Sequence, residues 1–340
     1  MNTNPLLAEA LRGGSVESVH RGAFAVVDAD GTLHSSLGDI ERPIFPRSAV
    51  KVLQALPLVT CGAANAMGLT EEHLALTCAS HGGEPAHVAA AVAMLNCAGV
   101  DPDVLECGAH WPYNEATQRA MAARGETPSA LHNNCSGKHA GFVCLGCWMA
   151  EEKNHKLYTA GYVRPDHPVM REVSAAIQRV TGYDLTQAPV GTDGCSIPTH
   201  AIPLRHLAHG FARIGTGTGL DKDTAWAAGR LRHAVARHPF MVAGSGRFDT
   251  RVMERLGERV FCKVGAEGVY CAALPDAGLG VAIKMDDGNN ARGCEVVMAE
   301  LIQRLVKLDD AERSFMHSLS NVTLKNWNGI EVGQLRAAAF

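Results

Sequence analysis

The sequence predicts an α+β protein. One antiparallel sheet is formed by both chain ends and flanked by helices, with a helical insertion in the middle. Three observations carry this. The first forty residues read as strands, strand-length apolar runs return between Val260 and Met285, and the stretch between them is largely helical in period. No repeat, low-complexity tract or composition break marks a linker, so residues 1–340 are expected to form a single domain with two lobes. The sheet lobe takes about 15–60 and 255–340, and the mainly helical lobe about 61–254.

Each element has a local reason. Ser18–Asp28 is β-branched and apolar, Ala29-Asp30-Gly31 supplies a turn, and Thr32–Leu37 runs back. Phe45–Val59 is a helix, apolar almost all the way round, with Pro46 suited to its first turn. Glu71–Cys78 reads as helix leading into the loop Ala79–Gly83, and Pro85–Ala98 is an alanine-rich helix. Asn133-Asn134-Cys135 is turn chemistry before an apolar helix at Gly137–Met149. Residues 151–215 read as polar and irregular around one helix at Val169–Gly182, and helices follow at Asp221–Ala236 and Arg251–Leu256. Strands at Val260–Gly265, Gly268–Leu274 and Gly278–Met285 precede a helix at Ala291–Leu308.

Composition narrows the function. A chain that is 46% hydrophobic and 19% charged, with net charge −4 and interspersed signs, has no basic stripe for nucleic acid. No run of about 18 apolar residues exists to span a membrane. The opening MNTNPLLAEALRGG lacks the basic start and apolar stretch of a secretory signal. Eleven scattered cysteines suit reduced thiols rather than a disulfide framework, so a cytoplasmic enzyme is expected.

The apolar helix carries a chemical anomaly. Ser48 and Lys51 fall on one face, one turn apart, beside Val52, Ala55 and Val59. Desolvation disfavours a charged ammonium and makes such an amine a base, while a serine hydroxyl needs an adjacent base to become a nucleophile. The plainer alternative is a helix-capping serine beside a lysine that reaches solvent. Enzymes with an S-x-x-K pair carry a K-T-G triplet on a bordering strand. Here Lys263 stands in Lys263-Val264-Gly265, and Ser80 stands in a loop between the two. Helix, loop and strand in this order point to serine acyl transfer.

Cys135, Lys138 and His139 concentrate potential ligands at a helix start, and Asp193-Gly194-Cys195 makes a second cluster in a glycine-rich loop. Two cysteines from separate loops can make half of a tetrahedral zinc site, but buried structural thiols are the plainer reading and lysine is a rare ligand. Cys144 and Cys147 have redox spacing but lie within an apolar helix, which reads as core packing. The run Gly215-Thr216-Gly217-Thr218-Gly219 looks phosphate-like but lacks a following G-K-[ST], so it reads as a loop.

Taken together, FPRSAVKVLQALPLV, ASHGGEPAH, HNNCSGKHAGF, GTDGCSIPTHAIPL and KVGAEGVY resemble the Rhizobium-etli-type, or third-class, L-asparaginases over roughly residues 10 to 335. The resemblance implies a fold like that of serine β-lactamases and penicillin-binding proteins, hydrolysis of L-asparagine to L-aspartate and ammonia, and a homodimer. It implies two Ser–Lys pairs, Ser48 with Lys51 and Ser80 with Lys263. Ser48 is then the nucleophile, Lys51 its base, and Ser80 and Lys263 a second tandem that relays protons. It further implies one zinc per chain on Cys135, Lys138 and Cys195, with water completing the coordination, substrate contacts at Arg47 and His139, and at Asp193 a contact to the substrate's ammonium or to a zinc-bound water. The sequence departs from the family pattern at Asp249 in GRFDT, where members can carry a cysteine, and Asp249 is read as a substrate contact. The alternatives are a glutaminase or penicillin-interactive hydrolase of the same fold, or a non-catalytic module that merely holds zinc.

Overall fold

Gly13-Gly14 turns the chain between β1 (Leu6–Arg12) and β2 (Ser15–Asp28), so the sheet starts earlier than the β-branched run at Ser18. A computed structural model describes residues 3–150 and 158–340. It divides into two units. The first comprises Met1–Ala49, Ile202–Gly219 and Arg259–Phe340, and the second Val50–Ala201 and Leu220–Glu258.

The first unit is built on one antiparallel sheet. Besides β1 and β2 it contains β3 (Leu33–Leu37), β8 (Phe261–Val264), β9 (Val269–Leu274), β10 (Leu279–Met285), β11 (Asn321–Lys325) and β12 (Glu331–Ala337). The order is β11-β12-β1-β2-β10-β9-β8, with β3 on β2. Both chain ends therefore contribute, as the strand signals predict. The ends meet at β1 and β12, in the register Ala8↔Ala337 and Ala10↔Leu335. A two-stranded pair, β4 (Pro43–Ile44) with β7 (Ile202–Pro203), belongs to the same unit.

Every residue of β9 is buried, which requires cover on both faces. The helix Leu204–Thr216 packs on β2, β9 and β10, and the helix Glu295–Leu305 packs on β1, β9 and β12. The former corrects the expectation of irregular chain up to residue 215. Leu204, Leu207, Ala208, Phe211 and Ile214 recur at helical spacing and are all buried. Residues 151–157 of that expected irregular stretch lie outside the described residues. Because Thr216 ends this helix, the Gly-Thr-Gly run sits at a helix C-terminus, the wrong dipole end for phosphate.

The second unit is mainly helical. Its helices include Lys51–Thr60, Glu71–Thr77, Pro85–Cys97, Glu115–Ala123, Ser136–Met149, Pro168–Thr181, Lys222–Arg237 and Phe248–Leu256. Ser136–Met149 is buried from Ser136 to Cys147 and packs against the first three of these. Cys144 and Cys147 are core thiols, and burial pushes Cys144 up to about 12. A small hairpin of β5 (Val190–Thr192) and β6 (Pro198–His200) holds the Asp193–Ile197 turn, where the sequence showed no strand signal.

Helix Leu204–Thr216 and the sheet come into close contact at Gly280 on β10. A Cβ there would lie 1.9 Å from the Ala208 carbonyl oxygen and 2.4 Å from the Ala212 nitrogen. Gly280→Ala must push the helix off the sheet, at a cost of ~1–3 kcal/mol or more. The expected outcome is a lower urea midpoint with an unchanged denaturant slope.

Candidate active site

The helix expected at Phe45–Val59 begins as a 3-10 turn, Arg47–Val50, and becomes α-helical at Lys51. Lys51 is wholly buried, but its surroundings are not only the apolar ones its helix face predicts. Its Nζ donates to the Ala79 carbonyl at 2.5 Å, to Ser80 Oγ at 3.1 Å and to Cys135 Sγ at 3.0 Å. Ala79 and Ser80 follow the end of the helix Glu71–Thr77, where the Ser80 N–H is held by the Val242 carbonyl at 2.8 Å. Cys135 is the residue before the helix Ser136–Met149.

A second lysine lies one turn into that helix. Lys138 Nζ donates to Cys195 Sγ at 3.0 Å, and the Cys195 thiol points at Asp193 Oδ2, 3.8 Å away. Cys195 also hydrogen-bonds Cys135, which is the largest cause holding the Cys135 thiol well below its ordinary range. The Lys51 and Lys138 amines act in the same direction, against burial. The Cys195 thiol is pushed up by the same hydrogen bond and by burial. Burial opposes a charged Lys138, yet Cys195, Cys135 and Asp193 outweigh it and raise Lys138 above the usual lysine range.

The neighbouring imidazoles add no charge. His81 Nδ1 accepts the Gly83 N–H at 3.1 Å, so Nε2–H donates to Ser136 Oγ at 2.9 Å. Burial, then His87 and Lys51, keep His81 well below the ordinary imidazole value. His139 is held low by burial, Lys138 and Lys51. The Tyr162 hydroxyl accepts the Glu106 N–H at 2.9 Å and donates to His139 Nδ1 at 2.7 Å, leaving a buried His139 Nε2–H without a partner among the described residues. Asp249 is 1% exposed in the first turn of the helix Phe248–Leu256.

The remaining expected residues belong to the sheet unit. Lys263 is wholly buried on β8, with its Nζ donating to the Val264 carbonyl at 2.7 Å. A Cβ on Gly265, at the end of that strand, would lie 2.7 Å from the Pro46 carbonyl oxygen. The glycine of the K-V-G triplet thereby lets the turn carrying Arg47 and Ser48 approach the strand. Arg47 has φ +52°, a left-handed conformation that a non-glycine residue adopts only under constraint.

Cys135, Cys195 and Lys138 stand together, joined by hydrogen bonds, with Asp193 nearby. Among the described residues, no group of three or more histidine, cysteine and acidic side chains is arranged to hold a metal ion. Sequence reasoning missed two residues that shape this cluster, Asn133 and His110. Asn133 accepts the Cys135 N–H at 2.8 Å, and His110 accepts the Asn134 N–H at 2.9 Å. The turn signal in Asn133-Asn134 was visible; the distant partner was not.

A family model described as L-asparaginase II matches residues 8–337. No curated protein sequence matches the chain. Among solved structures, a β-lactamase from Mycobacterium bovis is similar with a TM-score of 0.44 at 12% identity, covering 84% of this chain and 95% of that one. A protein named Mglu is similar with a TM-score of 0.38 at 16% identity, covering 85% of this chain and 69% of that one.

Cys195→Ala removes the largest cause of the low Cys135 value. In metal-free protein, the pH midpoint for alkylation of Cys135 by iodoacetamide is expected to move upward, read by peptide mass spectrometry. An unmoved midpoint would show that the two lysines suffice.

Proposed function

We propose L-asparagine hydrolysis as the function of this chain, which belongs to the L-asparaginase II family. Membership makes it an amidohydrolase with a small-molecule substrate. The match over residues 8–337 is the observation that carries the reading. The buried Lys51, 3.1 Å from a serine hydroxyl and 3.0 Å from a thiol, supports it as a site where protons pass between neighbouring groups.

In this reading, of the Rhizobium etli type, Ser48 is the nucleophile and Lys51 takes its proton. Attack on the side-chain amide carbon forms an oxyanion against backbone N–H groups. Ammonia leaves, and water then hydrolyses the β-aspartyl ester. Ser80 and Lys263 relay protons and steer charge. Arg47 pairs with the substrate α-carboxylate and Asp193 with its ammonium, while His139 and Asp249 complete the substrate contacts.

Cys135, Lys138 and Cys195 would hold one zinc ion per chain. The donor set fits: Cys135 and Cys195 are hydrogen-bonded to each other, Lys138 Nζ lies 3.0 Å from Cys195 Sγ, and the Asp193 carboxylate stands beside them. Holding a divalent ion would require Cys195 and Lys138 each to give up a proton, leaving sulfur and nitrogen lone pairs as ligands, so two protons would be exchanged for one divalent charge. Bound zinc would supply positive charge and anchor the loops of its ligands. A homodimer and a cytoplasmic location complete the proposal; the eleven cysteines are all free, which suits a reducing compartment.

Ammonia release compared between L-asparagine and L-glutamine, with nitrocefin turnover alongside, tests the substrate class. The expected outcome is release from L-asparagine well above the other two. Ser48→Ala should keep the fold and lose ~10³-fold or more in kcat. Gly265→Ala, which forces Pro46 away, should lower kcat by ~10-fold or more with a smaller change in KM. Zinc content should fall from about one per chain to near zero in Cys135→Ala, measured by mass spectrometry of the metal.

A further inference from the structure

Between the helices Pro85–Cys97 and Glu115–Ala123 the chain runs through Cys107-Gly108-Ala109-His110-Trp111-Pro112-Tyr113-Asn114. This run touches both elements that supply partners to Lys51. At one end, the Cys107 and Gly108 carbonyls accept the two N–H groups of the Asn133 amide at 2.9 and 3.1 Å. The same amide's Oδ1 accepts the Cys135 N–H at 2.8 Å. In the middle, His110 Nε2 accepts the Asn134 N–H at 2.9 Å while its Nδ1–H donates to the Trp111 carbonyl at 2.7 Å. At the far end, the Asn114 N–H donates to the Gly82 carbonyl at 2.9 Å, two residues beyond Ser80. A Cβ on Gly83 would lie 2.9 Å from the His132 carbonyl oxygen and 3.0 Å from Pro112 Cβ, so loop, run and turn are in contact.

Asn133 is the centre of this arrangement. It is 5% exposed, and its amide uses one acceptor and both donor hydrogens in three bonds. Aspartate keeps the acceptor but turns a carboxylate onto two carbonyl oxygens, serine has one hydrogen to give, and alanine has nothing. We infer that Asn133 is a positioning residue. By tying Cys135 to the 107–114 run, which also holds the Ser80 loop, it sets where Cys135 Sγ and Ser80 Oγ stand on either side of Lys51 Nζ. The catalytic consequence rests on the asparaginase reading; the structural consequence does not.

The test compares the full-length wild-type chain with Asn133→Ala and Asn133→Ser. Asp221→Ala serves as a control, because it removes an N-cap from the helix Lys222–Arg237 of the same unit. Three readouts are taken: ammonia release from L-asparagine, zinc affinity by chelator competition, and the iodoacetamide alkylation rate of Cys135 in metal-free protein. For Asn133→Ala, kcat and zinc affinity should each fall ~10–100-fold, the range for residues that orient ligands from behind. KM should stay within about threefold, and the Cys135 alkylation rate should change by about fivefold or more. Asn133→Ser should fall between Asn133→Ala and wild type, and Asp221→Ala should lose thermal stability while moving none of the three.

Wild-type kcat and an unchanged Cys135 alkylation rate in either folded Asn133 variant would overturn the inference. If Asn133→Ala does not fold, Asn133→Ser decides. If the wild type releases no ammonia, the asparaginase reading falls, and the alkylation arm still decides the role of Asn133.

Discussion

The helical unit is organised around the burial of the Lys51 amine. A buried amine is tolerable only where polar partners meet it, because an unsatisfied polar group costs ~1–3 kcal/mol. Lys51 meets three: a main-chain carbonyl, a hydroxyl and a sulfur. They come from two places in the chain, the end of the helix Glu71–Thr77 and the turn before Ser136–Met149. Satisfying one side chain therefore brings two loops together, and those loops carry Ser80 and Cys135.

Charge in the cluster is balanced by the same means. The Cys195 hydrogen bond and the two facing lysines hold the Cys135 thiol low, while both sulfurs and Asp193 hold Lys138 above the usual lysine range. His81 and His139 are kept neutral by burial and by the lysines, so they serve as hydrogen-bonding groups rather than further cations. Breaking a buried charge pair from one side costs ~3–5 kcal/mol, which makes each member of the network depend on the others.

Much of the fold was legible locally. The strands at 261–264, 269–274 and 279–285, and the helix that carries Lys138 and His139, follow from period, turn residues and length. The strand β1 was harder, because Leu-Leu-Ala-Glu-Ala-Leu-Arg is made of helix formers. It is extended because Leu7, Ala8 and Ala10 are buried between β2 and β12, the latter more than 300 residues away in sequence. The helix Leu204–Thr216 was hidden differently: arginines, histidines and glycines interrupt an apolar stripe whose value depends on the sheet beneath it.

Residue chemistry alone nominated Ser48, Lys51, Ser80, Lys263 and the Cys135 and Cys195 clusters, because an amine in an apolar helix and cysteines beside glycine turns are anomalous wherever they occur. Which of these groups meet was decided only by tertiary structure. Within the helical unit Lys51 faces Ser80 and Cys135, and Lys138 faces Cys195, across chain separations of 29, 84 and 57 residues. Helical period relates neighbours one turn apart and carries no information at such distances. The roles of Asn133 and His110 were invisible for the same reason, since a side chain's hydrogen bonds to distant main-chain groups exist only once the chain has folded.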